Sequence, residues 1–352
     1  MKQGTVLTER HKDILQAIIN THIATAEAVG SRTVAKKMGF SLSPASIRNV
    51  MADLEEMGYV RQPHTSAGRV PTDSGYRLYV DVLMEIGEVQ QEERRQIEQL
   101  YRARIEQVED LMELSSRLLS ILTHYTAVVQ TPKMDTETIK HVEVVPLSSG
   151  KVLVMLVTNV GNVRKNVTIL PRGITDSEIE QIAAFLNEKL YSLSFAAARS
   201  LLGSYDDSDN RLEGRLAGLA LRVLGVLAES EAREVYLDGR ENIFDQPEFS
   251  DLERLRPVLR VFDEKSRLNE LLECCMPEDE ITEVCIRIGS ENPLYDVRGC
   301  SIVASPYRVG GCTTGAIGVI GPTRMQYSRA SSLVAFVANK LSLVLTELSG
   351  GE

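Results

Sequence analysis

The chain has 352 residues, 43% hydrophobic and 25% charged, with no tryptophan and a formal net charge of -10. That length can bury two or three cores, and the composition is that of a globular protein, not of a disordered or fibrous one. The N-terminal run Met-Lys-Gln-Gly-Thr-Val-Leu-Thr-Glu-Arg has no apolar signal core, and no stretch approaches about 18 uninterrupted apolar residues, so secretion and membrane spanning are disfavoured and a cytoplasmic location is expected. The five cysteines include no Cys-x-x-Cys pair, and Cys274 and Cys275 are adjacent. Neither a disulfide framework nor a thiolate zinc site is indicated, and no metal or cofactor is expected.

In chain order, Thr8 is placed to cap a first helix whose apolar residues Ile14, Leu15, Ile18 and Ile19 recur at helical spacing. Ser31 is expected to cap a short second helix carrying Val34 and Met38, with Gly39 at its left-handed C-terminal position. Ser43 and Pro44 then occupy the N-cap and first position of a third helix. On it Ile47, Val50, Met51, Leu54 and Met57 share one face, leaving Ala45, Arg48, Asn49, Ala52 and Asp53 on the other. This is the geometry of a recognition helix. The small residues Ser43, Ala45 and Ser46 permit close approach to a groove, Arg48 suits the guanine O6/N7 edge, and Asn49 suits the adenine N6/N7 edge.

Next comes a hairpin: Tyr59-Val60 as one short strand and Arg69-Val-Pro-Thr as its partner across a turn containing Ser66, Ala67 and Gly68. Such a wing would place Arg61, His64, Arg69 and Arg77 on one side of the domain, with Thr65 and Ser66 offering hydroxyls to phosphates. Charge follows the same division. Residues 1–80 hold 10 Lys+Arg against 7 Asp+Glu, whereas residues 81–352 hold 29 against 42. The first domain is thus fitted to a polyanion and the body is not, so binding should depend on salt.

Residues 88–122 read as one long helical stretch with an apolar stripe from Ile97 to Leu122. Arg104 and Ser115 would fall in a coiled-coil seam, which favours packing onto the next domain. Three strands are expected at 141–147, 151–158 and 163–170 as an antiparallel meander, then helices at 177–190 and 194–202. Strands resume at 282–288, 301–305 and 315–321, and an amphipathic helix runs from about 328 to 348. Strands on both sides of a largely helical interval suggest an α+β domain interrupted by an insertion.

Catalysis finds little support in the residues. All five histidines lie at or before His141, and no nucleophile-elbow, zinc-protease or phosphate-loop pattern occurs. The glycines from 310 to 321 are followed by Pro322, without the helix a dinucleotide fingerprint requires. Asp238, Glu241 and Asp245 lack calcium-loop spacing and read as part of a structural turn. Tyr295, Arg298 and Tyr307 read as packing residues in preference to the lining of a ligand cavity.

The run Ser43-Pro-Ala-Ser-Ile-Arg-Asn-Val-Met-Ala-Asp-Leu-Glu-Glu-Met-Gly-Tyr-Val, followed by His64-Thr-Ser-Ala-Gly-Arg-Val-Pro-Thr-Asp-Ser-Gly-Tyr-Arg, resembles the heat-inducible transcription repressor HrcA family. Two later blocks fit the same resemblance: Tyr236-Leu-Asp-Gly-Arg-Glu-Asn-Ile-Phe-Asp-Gln-Pro-Glu-Phe, and Gly289-Ser-Glu-Asn with Gly315-Ala-Ile-Gly-Val-Ile-Gly-Pro-Thr-Arg-Met-Gln-Tyr. The resemblance implies an α+β multidomain chain with an N-terminal winged helix-turn-helix and a GAF-like α+β domain interrupted by an inserted dimerisation domain. The expected divisions are 1–87 for DNA binding, 88–122 for a helical linker, 123–203 with 281–352 for the GAF-like domain, and 204–280 for the insert. It implies a non-enzymatic repressor of chaperonin and chaperone operons, acting on double-stranded DNA at the CIRCE inverted repeat. It also implies activity that depends on the GroEL chaperonin and is lost on heating. A homodimer is expected on physical grounds too, since one winged helix makes few contacts and two copies related by a twofold axis would read an inverted repeat.

Overall fold

The computed structural model describes residues 7–39, 42–65, 67–102, 107–132, 138–147, 151–159, 161, 163–171, 174–204, 218–223, 233–276, 283–309 and 312–348. Helix α1 (Glu9–Thr25) starts where Thr8 accepts a hydrogen bond from the His11 N–H, as its sequence predicts. Helix α2 (Ser31–Lys37) differs: Gly30 is its N-cap and Ser31 is already helical, so no side chain caps it. Gly39 does take the left-handed conformation, with φ of 62°. Helix α3 (Pro44–Glu56) opens on Ser43, whose hydroxyl accepts from the Ser46 N–H. Strands β1 (Val60–Arg61) and β2 (Val70–Pro71) pair antiparallel, and Val29 bridges Arg69 beside them.

Helix α4 (Asp73–Leu78), capped by Thr72, runs into a π turn at Tyr79–Leu83. The long helix expected at 88–122 is two helices, α5 (Gln91–Arg102) and α6 (Val108–Thr123), with residues 103–106 outside those described. Its preference for packing over a coiled coil holds: Ile97, Leu111 and Met112 are fully buried in a core shared with the C-terminal helix, and Ser115 hydrogen-bonds the buried Tyr101.

A five-stranded antiparallel sheet forms the centre of the body, in the order β7 (Val235–Asp238), β3 (Thr126–Gln130), β10 (Cys312–Pro322), β9 (Cys300–Val309), β8 (Cys285–Ile288). Strand side chains alternate between faces, and each face is covered. Ala127, Val129, Val303, Ile317 and Val319 point to α6 and α12 (Tyr327–Leu348), in a core continuous with the winged helix. Val128, Ile302, Ala304, Ala316 and Ile320 point instead to α10 (Leu252–Asp263) and α11 (Lys265–Glu273), where Phe249, Val258, Phe262 and Leu272 meet them. Helix α12 is long and apolar enough in composition to cross a bilayer. Its apolar stripe, Leu333, Val334, Val337, Leu341 and Leu345, is fully buried in the protein core, which accounts for the composition without a membrane.

The meander does not share that sheet. Strands β4 (Ile139–Pro146), β5 (Lys151–Thr158) and β6 (Val163–Ile169) form a separate three-stranded sheet. Its inner face packs on α7 (Asp176–Leu190), α8 (Phe195–Gly203) and the helical residues 218–223 (α9), closing a second core of Val142, Val154, Leu156, Ile182 and Leu186. Conversely the 204–280 segment, expected as the insert, contributes β7, α10 and α11 to the main sheet. The expected boundaries are therefore corrected: among the described residues, those with a separate core lie between 139 and 223. The reason is physical. Strand β3 is buried on both faces and so carries no alternation, and β7 has only four residues.

Candidate nucleic-acid interface

Helix α3 divides as its periodicity predicts. Ile47, Val50, Met51 and Leu54 are buried, while Ser43, Ala45, Arg48, Asn49, Ala52 and Asp53 are exposed and Ser46 is half-buried. Because Ser43 caps the helix, the N-terminal turn is held with its small residues outward. Arg48 and Asn49 are consecutive exposed residues on this face, and Asp53, a turn further on, pairs with His11 at 3.6 Å. Helix α2 packs on α3 and adds the exposed Arg32, Lys36 and Lys37. Sequence reasoning passed over these cations; the signal available was two adjacent lysines in the last turn of the first helix of the motif.

The wing is pinned from within. Glu55, at the end of α3, accepts from the Gln62 N–H at 3.0 Å and pairs with Arg69 at 2.8 Å. Gln62 in turn donates to the carbonyls of Thr65 and Ala67, both at 3.0 Å, closing the turn. Gly68 lies so near Val29 that a Cβ would overlap the Val29 carbonyl, so the wing root has no space for a side chain. Arg61, His64 and Thr65 are exposed and remain available to a phosphate backbone. Arg69 is largely enclosed by its pair with Glu55, and acts as a strut of the wing. Ser66 lies outside the described residues.

Arg77 does not join this surface, which corrects its expected role. It points into the body, where Nε donates to Glu291 at 2.8 Å, Nη2 donates to Glu291 and to the Ile286 carbonyl, and Nη1 reaches Asp81. Burial opposes ionisation of Glu291, yet hydrogen bonds from Arg77 and the Ile288 N–H hold its carboxyl below the usual range. Asp73, one turn earlier, accepts from the Ser290 N–H at 2.8 Å. The Gly289-Ser-Glu-Asn block is therefore the seat on which α4 docks.

Beside this seat Tyr76, buried, is hydrogen-bonded to His22 at 2.7 Å and lies 5.8 Å ring to ring from Tyr327. Burial lowers the His22 pKa and keeps the imidazole neutral, with Glu248 opposing the effect. Tyr327 donates to the Thr323 carbonyl, and its oxygen lies 2.7 Å from the Ser301 hydroxyl. Arg324 spans the joint, donating to the Ile23 carbonyl while paired with Glu248.

A cleft of 680 Å³ opens between wing root and body, lined by His22, Arg61, Asp73, Arg254 and Tyr295 among others. Tyr307 packs as expected, fully buried with its hydroxyl on the Gln130 carbonyl at 2.7 Å. Tyr295 does not: it is 80% exposed at the cleft rim, with the Arg298 guanidinium 5.4 Å from its ring. Two residues of the 236–249 block brace its neighbours. Asn242 donates to the Tyr125 carbonyl and to Ser120, and Glu248 anchors Arg324.

Two family descriptions match the chain: "Winged helix-turn-helix transcription repressor, HrcA DNA-binding" over residues 6–83, and "HrcA protein C terminal domain" over residues 109–330. A heat-inducible transcription repressor HrcA of Pelotomaculum thermopropionicum is 39% identical over 346 residues, covering 98% of this chain and 99% of its own. That of Geobacter sulfurreducens is 39% identical over 341 residues, covering 97% and 99%. A crystal structure titled only as a hypothetical protein superposes with a TM-score of 0.64 at 23% identity, covering 97% of this chain and all of that one, and so shares the fold.

Proposed function

The chain belongs to the HrcA family of heat-inducible transcription repressors, and from that membership we propose that it represses chaperonin and chaperone operons by binding the CIRCE inverted repeat as a homodimer. The observation that carries this reading is the exposed face of α3, where Arg48 and Asn49 stand clear of every intramolecular partner described above. Arg48, Asn49, Ala45 and Ser43 read base edges; Ser46, Arg61, His64 and Thr65, joined by Arg32, Lys36 and Lys37, position the phosphates.

The body is read as a GAF-like domain built on the five-stranded sheet and interrupted by the unit of residues 139–223. That unit supports a dimer. Val145, Leu153 and Val167 lie in register across its outer face, as do Val157 and Val163, and Val163, Val167 and Ile169 are 50%, 48% and 68% exposed. A sheet face that carries these exposed apolar side chains beside the Glu143 and Lys165 charges is suited to a second copy of itself about a twofold axis. Dependence on the GroEL chaperonin, cytoplasmic location and loss of activity on heating complete the proposal on the strength of the family resemblance.

The test is a DNA-binding titration at fixed salt, with an intact CIRCE repeat against a duplex with one scrambled half-site, with and without chaperonin. The reading requires strong preference for the intact repeat. Equal weak binding to both duplexes would leave only phosphate attraction and would refute it.

A further inference from the structure

Away from the DNA-reading surface, three cysteines meet where α11 ends beside the edge strand β8. Cys274 caps α11 and Cys275 follows it, buried at 2% exposure. Cys285 opens β8 and is half-buried. Cys285 packs against the buried cluster to which Cys275 belongs, and each thiol is the leading influence on the other's ionisation. Arg287, two residues along and hence on the same face of β8 as Cys285, donates from Nε to the Cys274 carbonyl at 3.0 Å and from Nη1 to the Glu291 carbonyl at 3.3 Å. It clamps the end of α11 to the strand, which keeps the two sulfurs together.

Their surroundings divide the labour between the two thiols. The neighbouring Cys275 thiol lowers the pKa of Cys285 against its burial, and the positive charges of Arg287 and Arg77 add to the effect while Glu291 opposes it. Cys275 is shifted the other way by its interaction with Cys285 and by burial. A partly accessible thiolate with a neighbouring resolving thiol is the arrangement that peroxide-reactive dithiols need.

We propose that Cys275 and Cys285 form an oxidisable dithiol that a hydroperoxide converts to an intramolecular disulfide. The Cys285 thiolate attacks one peroxide oxygen, the O–O bond breaks, and the departing oxygen takes a proton to leave as water or alcohol. Cys285 is then a sulfenic acid. The Cys275 sulfur attacks the Cys285 sulfur, the S–O bond breaks, and the hydroxide leaves as water with the Cys275 proton. Two thiols have lost two electrons and one hydroperoxide has gained them. The new bond would lie next to Ile286, whose carbonyl receives Arg77, so the oxidation site and the winged-helix seat share one strand.

The experiment treats the full chain with hydrogen peroxide, alkylates the remaining thiols and maps the peptides by mass spectrometry. The expected product is a crosslink between 275 and 285, reversed by dithiothreitol and retained in Cys274→Ser. Cys285 should be consumed about tenfold faster than the fully buried Cys300. Cys275→Ser should stop the reaction at a sulfenic acid on Cys285 that dimedone traps. Since the crosslink is read on the natural chain, the result stands even where a variant folds poorly. A 274–285 bond, a sulfinic acid at Cys285 with Cys275 still free, or an unreacted Cys285 would each overturn the proposal.

Discussion

Removing the Arg77 side chain separates two roles that its position just after the wing invites one to confuse. As a DNA contact, Arg77→Ala would lower the salt dependence of binding by about 0.9 in the log–log slope, the share of one phosphate contact. As the structure places it, the residue instead makes three hydrogen bonds to the body, two to Glu291 and one to the Ile286 carbonyl. Fully buried charged hydrogen bonds contribute about 1.5–3 kcal/mol each. Both partners of this pair are about a third exposed, at 31% and 32%, so screening reduces the sum. Truncation also leaves Glu291 without its cation, which adds to the cost. An overall loss of about 2 kcal/mol is expected, or roughly 30-fold in a local opening equilibrium at 1.4 kcal/mol per factor of ten. Amide hydrogen exchange reads this locally: protection across α4 and β8 should fall about 30-fold, while that of the separate β4–β6 sheet stays unchanged. A cycle with Glu291→Gln should give a coupling of about 1 kcal/mol. Unchanged exchange with a slope lower by about 0.9 would refute the docking role and restore Arg77 to the DNA surface.

On α3, Arg48→Ala and Asn49→Ala should each weaken binding to the intact repeat by about 1–3 kcal/mol without changing the melting temperature, since both side chains are exposed; equal loss on unrelated duplexes would assign them to phosphates instead. Lys36→Ala should lower the salt slope by about 0.9 on every sequence alike, and an unaltered slope would remove α2 from the interface. Gly68→Ala should destabilise the wing root by about 1–3 kcal/mol, as overpacking does, because its Cβ would overlap the Val29 carbonyl; thermal unfolding and DNA titration together would check this, and a variant matching the parent in both would contradict the structure. His22 sets a pH dependence. Its folded pKa lies below the ordinary 6.5 because of burial, so below 6.5 the unfolded chain takes up a proton that the folded one refuses. Stability from this group is therefore complete above pH 6.5 and declines as pH falls from there toward the lower folded value. His22→Gln should flatten that limb of a stability–pH curve; a limb identical to the parent's would exclude His22 as its source.

The winged helix was legible because its signals are local. Thr8, Ser43 and Pro44 mark helix starts by their own chemistry, and one-sided periodicity on α3 separates Leu54 from Arg48 without reference to the rest of the chain. The second helix shows the limit of that reasoning: Ser31 has the right chemistry for a cap, but Gly30 takes the N-cap position. The partners of Arg69 and Arg77 were hidden for another reason. A cation beside a wing reads as a phosphate contact unless one knows that Glu55 stands next to it, or that Glu291, 214 residues away, is folded against it. The division of the body is not legible because strand β3 gives no alternation. Thr126–Gln130 is buried throughout, and such a run cannot be distinguished by pattern from a helix end. Once β3 is missed, β7 has no visible partner, and the helices after it look like an independent unit.

The joint between winged helix and body makes the reading head depend on the body. The core that contains Ile47 and Leu54 of α3 continues without interruption through Tyr76 to Tyr327 and Leu333 of α12, and on to Val303 and Ile317 of the sheet. A domain of some 75 residues buries a modest fraction of its surface alone and is correspondingly marginal. Docking supplies further burial, the Arg77–Glu291 pair and the Arg324 bridge, so part of the stability of the DNA-reading domain resides in contacts with residues 286–327. A warmed chain need not unfold to lose its grip on an operator. In the dimer proposed above it would be enough that the seat at Gly289–Glu291 loosens, since two reading heads would have to be held at a fixed spacing to engage an inverted repeat together, and a head that swings free would contribute only its own weak affinity.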